Sequence, residues 1–176
     1  MWINMKIEIL NALPENAKDI KNINSKTWFQ TYKNDLYWIN LETINKFPDT
    51  KEAINKFIDK KYNEILNNPW SYIVAKVNNE VIWYACWKIH LAKKFNELFS
   101  IYILPEYQNN WLWQKLINKV FDYLWVSKPI IVQVIEYNKK AINFYEKNGF
   151  KFNEKLSDIE IITWIFVPEI QMIKVF

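Results

Sequence analysis

Apolar residues recur at helical spacing in several stretches of this chain and alternate, or run together, in the stretches between them. Ala17, Ile20, Ile23 and Trp28 form one such stripe. Pro14 fits the first turn of that helix, with Glu15 near its positive end. Ala53, Ile54, Phe57, Ile58, Tyr62, Ile65 and Leu66 keep a helical period until Asn67-Asn68-Pro69 ends it. Leu112, Leu116, Ile117, Val120, Phe121 and Leu124 predict an amphipathic helix opening near Trp111. A shorter helix holds Ala141, Ile142, Phe144 and Tyr145; Asn138 can cap it, and Gly149 sits where a left-handed residue would end it.

The intervening segments read as strands. Lys6–Leu10 alternates like a short first strand, and Ser71–Val77 with Val81–His90 predicts a hairpin turning at Asn78-Asn79-Glu80. Glu97–Leu104 is rich in β-branched and aromatic residues and is stopped by Pro105. Pro129–Ile135 resembles a buried strand, and Phe150–Leu156 with Ile159–Phe176 suggests two closing antiparallel strands. Lys33–Thr50, punctuated by Pro48, is irregular. With no repeat or linker, the order of elements predicts one mixed α/β (α+β) domain over residues 1–176.

Composition narrows the classes. Apolar content of 51% with 24% charged residues is that of a globular protein able to bury a sizeable core. No apolar run approaches the ~20 residues of a membrane span, and no secretory leader pattern opens the chain. A single cysteine, Cys86, excludes an internal disulfide and suits a cytoplasmic setting. One cysteine and one histidine argue against zinc, and no metal is expected. The net charge of +4 favours an anionic ligand, but the lysines are dispersed like a solvated surface.

The chain is organised around Tyr107-Gln108-Asn109-Asn110-Trp111-Leu112-Trp113-Gln114-Lys115-Leu116, which joins the Glu97–Leu104 strand to the third helix. A strand, a short polar loop and a helix start form a place for phosphates, because the first helical turn has amides without intrahelical acceptors. The run Ile103-Leu104-Pro105-Glu106-Tyr107-Gln108, followed by Leu116, resembles the signature of the GNAT family of N-acetyltransferases. Asn138-x-x-Ala141-x-x-Phe144-Tyr145-Glu146-Lys147-x-Gly149-Phe150 resembles a second signature of that family. Lys26-Thr27-Trp28-Phe29-Gln30-Thr31-Tyr32 and the C-terminal Pro168-Glu169-Ile170 extend the likeness over nearly the whole chain.

That resemblance implies a central mixed, mostly antiparallel sheet flanked by about four helices. It implies acetyl transfer from acetyl-CoA to a primary amine of a small molecule, peptide or protein. The pantetheine arm would pair with the backbone of Ile101, Tyr102 and Ile103, and the pyrophosphate would meet Gln108, Asn109, Asn110, Trp111, Leu112, Trp113 and Gln114. Tyr145 would protonate the departing thiolate, which suits a phenol that stays protonated at neutral pH. Asn138 would contact the pantetheine, although capping alone explains an asparagine there. Glu97 and Glu136 are the candidate bases for the acceptor amine, although a carboxylate at a strand end is more often simply solvated. Trp28 and Tyr32 would border the acceptor pocket, or serve as core and rim aromatics. His90 has the pKa range of a base, but with no partner in sight it reads as a surface residue, and Cys86 reads as core. A homodimer is a possible assembly; neither nucleic acid nor membrane is expected as a partner.

One departure from the family is pronounced. Trp111 and Trp113 stand where the family loop has glycines, which let backbone approach phosphate. The chain has one glycine, against roughly 12 expected from average usage, and 10 tryptophans. Trp83, Trp87, Trp125 and Trp164 also fall where this fold favours glycine. Two accounts follow: UGA codons meaning glycine written as tryptophan, or real tryptophans that leave a catalytically inactive binding module with a blocked loop. A single-stranded nucleic-acid binder is a weaker reading, since the tryptophans do not cluster with lysines on one element.

Overall fold

The computed structural model describes residues 6–40, 42–43, 50–108, 110–124 and 128–176. Pro48, Asn109 and Trp125, singled out above, lie outside the described residues. In chain order the elements are β1 (Ile7–Asn11), α1 (Ala17–Tyr32), α2 (Lys51–Asn67), β2 (Tyr72–Val77), β3 (Glu80–Lys88) and β4 (Asn96–Ile103). After them come α3 (Asn110–Leu124), β5 (Ile130–Ile135), α4 (Lys139–Lys147), β6 (Lys151–Lys155), β7 (Ile159–Ile162), β8 (Ile165–Val167) and β9 (Glu169–Lys174). Seven strands form a sheet in the order β1-β2-β3-β4-β5-β9-β6, while β7 and β8 pair only with each other. The β4–β5 pairing is parallel; β1–β2, β2–β3, β5–β9 and β6–β9 are antiparallel. This is the mixed, mostly antiparallel architecture that the family resemblance implies, with four α-helices among the described residues.

The C-terminal segment departs from the expectation of two closing strands. Ile159–Phe176 breaks into β7, β8 and β9. Trp164 turns the chain with a φ of 68°, and Pro168, which has no N–H for a ladder, separates β8 from β9. Only β9 enters the large sheet, between β5 and β6.

The described residues cluster into two compact units, one from residues 1–28, 49–87 and 100–120, the other from 29–48, 88–99 and 121–176. In the first, Ile20, Ile23, Ile73, Ile82, Trp83, Ile103, Leu112 and Leu116 are all fully buried. Helix α1 buries Thr27, whose hydroxyl donates to the Ile23 carbonyl at 2.8 Å, while Trp28 is half-buried. The stripe of α2 lies shallower than its period suggests, because periodicity marks a face but not its depth. Ile65 alone is fully buried, Tyr62 and Leu66 are exposed, and the ammonium groups of Lys21 and Lys61 lie over the Phe57 ring. Thr50 starts α2 by accepting from the Ala53 amide at 3.1 Å. Asn78 and Asn79, with φ of 48° and 66°, close the β2–β3 hairpin, as two left-handed residues do in a tight hairpin turn.

In the second unit Leu98, Ile130, Val132, Phe150, Val167 and Met172 are buried. Asn138 caps α4 by accepting from the Ala141 amide at 3.0 Å. Gly149 ends the same helix with a φ of 85°, and its amide donates to the Glu146 carbonyl at 3.0 Å. A Cβ added there would meet the Lys174 ammonium at 2.6 Å. That ammonium donates to the Asn148 carbonyl at 2.7 Å and lies over the rings of Phe121 and Phe176. Gly149→Ala should therefore destabilise the protein by about 1–2 kcal/mol, from the left-handed backbone alone. An unchanged midpoint in thermal or urea unfolding would contradict this.

Candidate active site

In the first unit, β4 leads into the loop predicted to hold phosphate. Ile101 and Ile103 are buried and Tyr102 is half-buried, its ring 5.8 Å from that of Tyr84. The Leu104 amide donates to the Ile82 carbonyl at 2.9 Å, tying the strand end to β3. A single turn, Pro105–Tyr107, follows, and the Gln108 side-chain amide reaches back to the Ile103 carbonyl at 3.2 Å. Helix α3 then opens at Asn110, so Trp111, Leu112 and Trp113 occupy its first turn. Leu112 is buried, Trp113 is half-buried, Gln114 is exposed, and Trp111 is 46% exposed. The indole of Trp111 thus stands on the surface of the turn whose amides an anion would approach.

The second unit carries the predicted acid and the candidate bases, Tyr145, Glu97 and Glu136. The β4–β5 ladder comprises Asn96–Leu98 against Ile130–Val132, although β4 continues to Ile103 and β5 to Ile135. Asn96 is fully buried there: its side-chain amide donates to the Leu124 carbonyl at 3.1 Å and accepts from the His90 amide at 3.2 Å. Lys128 reinforces the same turn, donating to the carbonyls of His90 and Lys93 at 2.7 and 3.0 Å. The next residue, Glu97, is buried, and its carboxylate lies 3.3 Å from His90 Nε2. Glu169, at the start of β9, is a further acid here; burial first, and then the charge of Glu97, hold its carboxyl above the ordinary 4.5. Glu136 instead pairs with Lys155 at 2.7 Å on the surface.

Tyr145 projects from α4 with its ring buried, edge-on to Phe144 and Phe150 at 5.3 Å each. Burial raises its phenol well above the ordinary range, so the hydroxyl keeps its proton. Among the described residues no hydrogen bond engages that hydroxyl. Asn138 is half-buried and its side-chain oxygen is already taken by its helix. Beside it, Tyr137 donates to the Tyr32 carbonyl at 2.9 Å and stacks on Tyr37, and burial pushes its phenol up to about 12.

The model of the acetyltransferase (GNAT) family matches residues 18–150. The chain belongs to that family. Its fold resembles spermidine N-acetyltransferase from Vibrio cholerae in complex with CoA and spermine, with a TM-score of 0.69 and 20% identity over 95% of this chain and 94% of that one. It also resembles PaiA N-acetyltransferase from Thermoplasma acidophilum in complex with coenzyme A, at a TM-score of 0.65 and 21% identity over 98% and 100% of the two chains. In sequence it is 22% identical over 130 residues to mycothiol acetyltransferase of Streptomyces griseus, covering 72% of this chain and 42% of that protein's length.

Within this GNAT fold the predicted site residues fall into three local settings. Ile101, Tyr102, Ile103 and Gln108 form the strand end and turn, followed by Trp111–Gln114 in α3. Glu97 and Tyr145 are buried in the second unit, whereas Glu136 is committed to Lys155. Tyr32 belongs to the Tyr137 setting, while Trp28 lies in the first unit. His90 differs from its reading as a surface residue: its side chain is 11% exposed and has Glu97 as its partner. Glu169, Asn96 and Tyr137 escaped the sequence reading. Only Glu169 had a signal there, since Pro168-Glu169-Ile170 belongs to the family-like C-terminus.

Because the folded state holds the Glu169 proton more tightly than the unfolded state, this residue makes stability fall as pH rises above 4.5 toward its raised value. Glu169→Gln removes that loss. Its melting temperature relative to the parent should be more favourable near neutral pH than well below 4.5; a difference independent of pH would exclude the raised carboxyl.

Proposed function

We propose that this protein transfers the acetyl group of acetyl-CoA to a primary amine of a small molecule, a peptide or a protein. The observation that carries this reading is Tyr145, a buried phenol whose proton is retained and whose hydroxyl has no hydrogen-bond partner among the described residues. A departing thiolate needs such a donor, and a tyrosine already bonded within the fold would have to break that bond first. The resemblance to structures that hold coenzyme A supports the same cosubstrate here.

In this reading the outer backbone of Ile101–Ile103 receives the pantetheine arm, and the first turn of α3 receives the pyrophosphate. Glu97 takes a proton from the acceptor's ammonium group, directly or through water, and the neutral amine that results attacks the thioester carbonyl, with His90 fixing the carboxylate from 3.3 Å. Tyr145 gives its proton to the coenzyme sulfur. Glu136 is the less available of the two in this scheme, since Lys155 holds its carboxylate at the surface. Trp28 and Tyr32 border the acceptor. The acidic Glu97 and Glu169 favour a cationic acceptor, so polyamines and peptide N-termini are the first amines to try. A buried free thiol, Cys86, held above its ordinary pKa by burial, fits a reducing cytoplasm.

Isothermal titration should detect acetyl-CoA binding, and an amine panel should reveal turnover. Tyr145→Phe is expected to lower kcat ~10²-fold or more with little change in acetyl-CoA affinity. Glu97→Gln should lower kcat while leaving that affinity intact. Full turnover by Tyr145→Phe would demote the phenol to packing. No binding by the parent but binding by its Trp111→Gly, Trp113→Gly variant would put the block at the indoles, and no binding by either would overturn acetyl-CoA as the cosubstrate.

A further inference from the structure

Among the described residues, positive φ occurs outside glycine at Trp38, Asn78, Asn79 and Trp164. The two asparagines are unremarkable, since asparagine is among the residues that tolerate the left-handed region. The two tryptophans are not. A bulky side chain at positive φ is a steric outlier, held only where the surroundings over-determine it. The side chains give no support here, since Trp38 and Trp164 are 76% and 85% exposed. Only the backbone is held, by the Asn34–Ile39 hydrogen bonds and the Thr43 hydroxyl around Trp38 and by the Glu160 carboxylate that accepts from the Trp164 amide.

Both sit at turn positions for which glycine is the default. Trp38 closes the short Asp35–Tyr37 turn with φ 59° and ψ 22°, its amide donating to the Asp35 carbonyl at 3.2 Å. Trp164 is the second residue of the Thr163-Trp164 turn that joins β7 to β8. A left-handed residue at the second centre of a two-residue turn is a glycine site. Trp164 was already suspect from its place in the sequence, but Trp38 was not; its backbone alone brings it in.

We propose that residues 38 and 164 are glycine in the protein as its own cells make it, the gene's UGA codons there being read as glycine rather than tryptophan. One decoding rule then explains the two left-handed tryptophans and the scarcity of glycine beside an excess of tryptophan. It extends to Trp111 and Trp113, where loss of the indoles would open the first turn of α3 to close approach by a phosphate. The conformational argument does not reach Trp83 and Trp87, which are buried in β3 without positive φ.

The gene and the native protein decide it. UGA is expected at codons 38 and 164, and peptides spanning these positions, from protein purified from its own cells, should have the masses of their glycine forms. UGG at either codon, or tryptophan in either native peptide, overturns the proposal. The written chain supplies a physical arm. Trp38→Gly and Trp164→Gly should each melt about 2–4 °C above the matching Trp38→Ala and Trp164→Ala variants, since alanine removes the indole without relieving the left-handed backbone. Glycine variants no more stable than their alanine counterparts would also overturn it. None of these readouts involves acetyl-CoA, so the proposal and the acetyl-transfer reading can fail separately.

Discussion

The buried side chain of Asn96 is the constraint on which the titratable part of the site depends. One amide group satisfies the last described carbonyl of α3 and the backbone N–H of His90, while its own main chain takes the Pro129 carbonyl at 2.9 Å. A buried amide is worth keeping only if its hydrogen bonds are made. Here making them fixes the helix end, the turn after β3 and the start of β5 around one residue. Glu97 and His90 inherit their positions from it: one follows Asn96 in the chain, and the other is held by its oxygen. The parallel β4–β5 ladder begins at the same point.

Two electrostatic settings then coexist in the second unit. Around Tyr145 the surroundings are aromatic, so the phenol gains no stabilisation for an anion and stays a proton donor. Around Glu97 there are instead a histidine at 3.3 Å and a second carboxyl, Glu169, which holds its proton more tightly than usual. Acetyl transfer to an amine requires one of each kind, a group that accepts from the ammonium and another that donates to sulfur. Here residue type separates the two kinds, a phenol from a carboxylate and an imidazole, and burial of the phenol among aromatic rings widens the separation.

Much of this was legible in the residues, for local reasons. The α3 stripe, the Asn78-Asn79 turn, the Asn138 cap and the left-handed Gly149 are each set by residues close in sequence, and each appears where its residues predicted it. Pairings across long sequence separations were not legible. Nothing in the order of residues announces that Asn96 meets Leu124, or that Glu169 feels Glu97. Depth escaped for a related reason. The α2 period gives a face but not the shallow packing that leaves Tyr62 and Leu66 exposed, and in α1 Thr27, not Trp28, is the fully buried residue. The C-terminal strands were misdivided even though position 164 reads as a glycine site, because which flanking segment joins the large sheet is set by pairings far along the chain.

That division has a consequence for how the chain tolerates changes of length. β9 is hydrogen-bonded on both sides, to β5 and to β6, with Ile170 and Met172 buried on alternate positions. A one-residue slip would break two ladders together and turn that apolar set outward. The β7–β8 pair has no such neighbours. Residues inserted or deleted at its exposed Thr163-Trp164 tip are absorbed within the hairpin, with Pro168 separating it from β9. The hairpin therefore serves as a length buffer, able to vary in size while the strand that follows keeps its register.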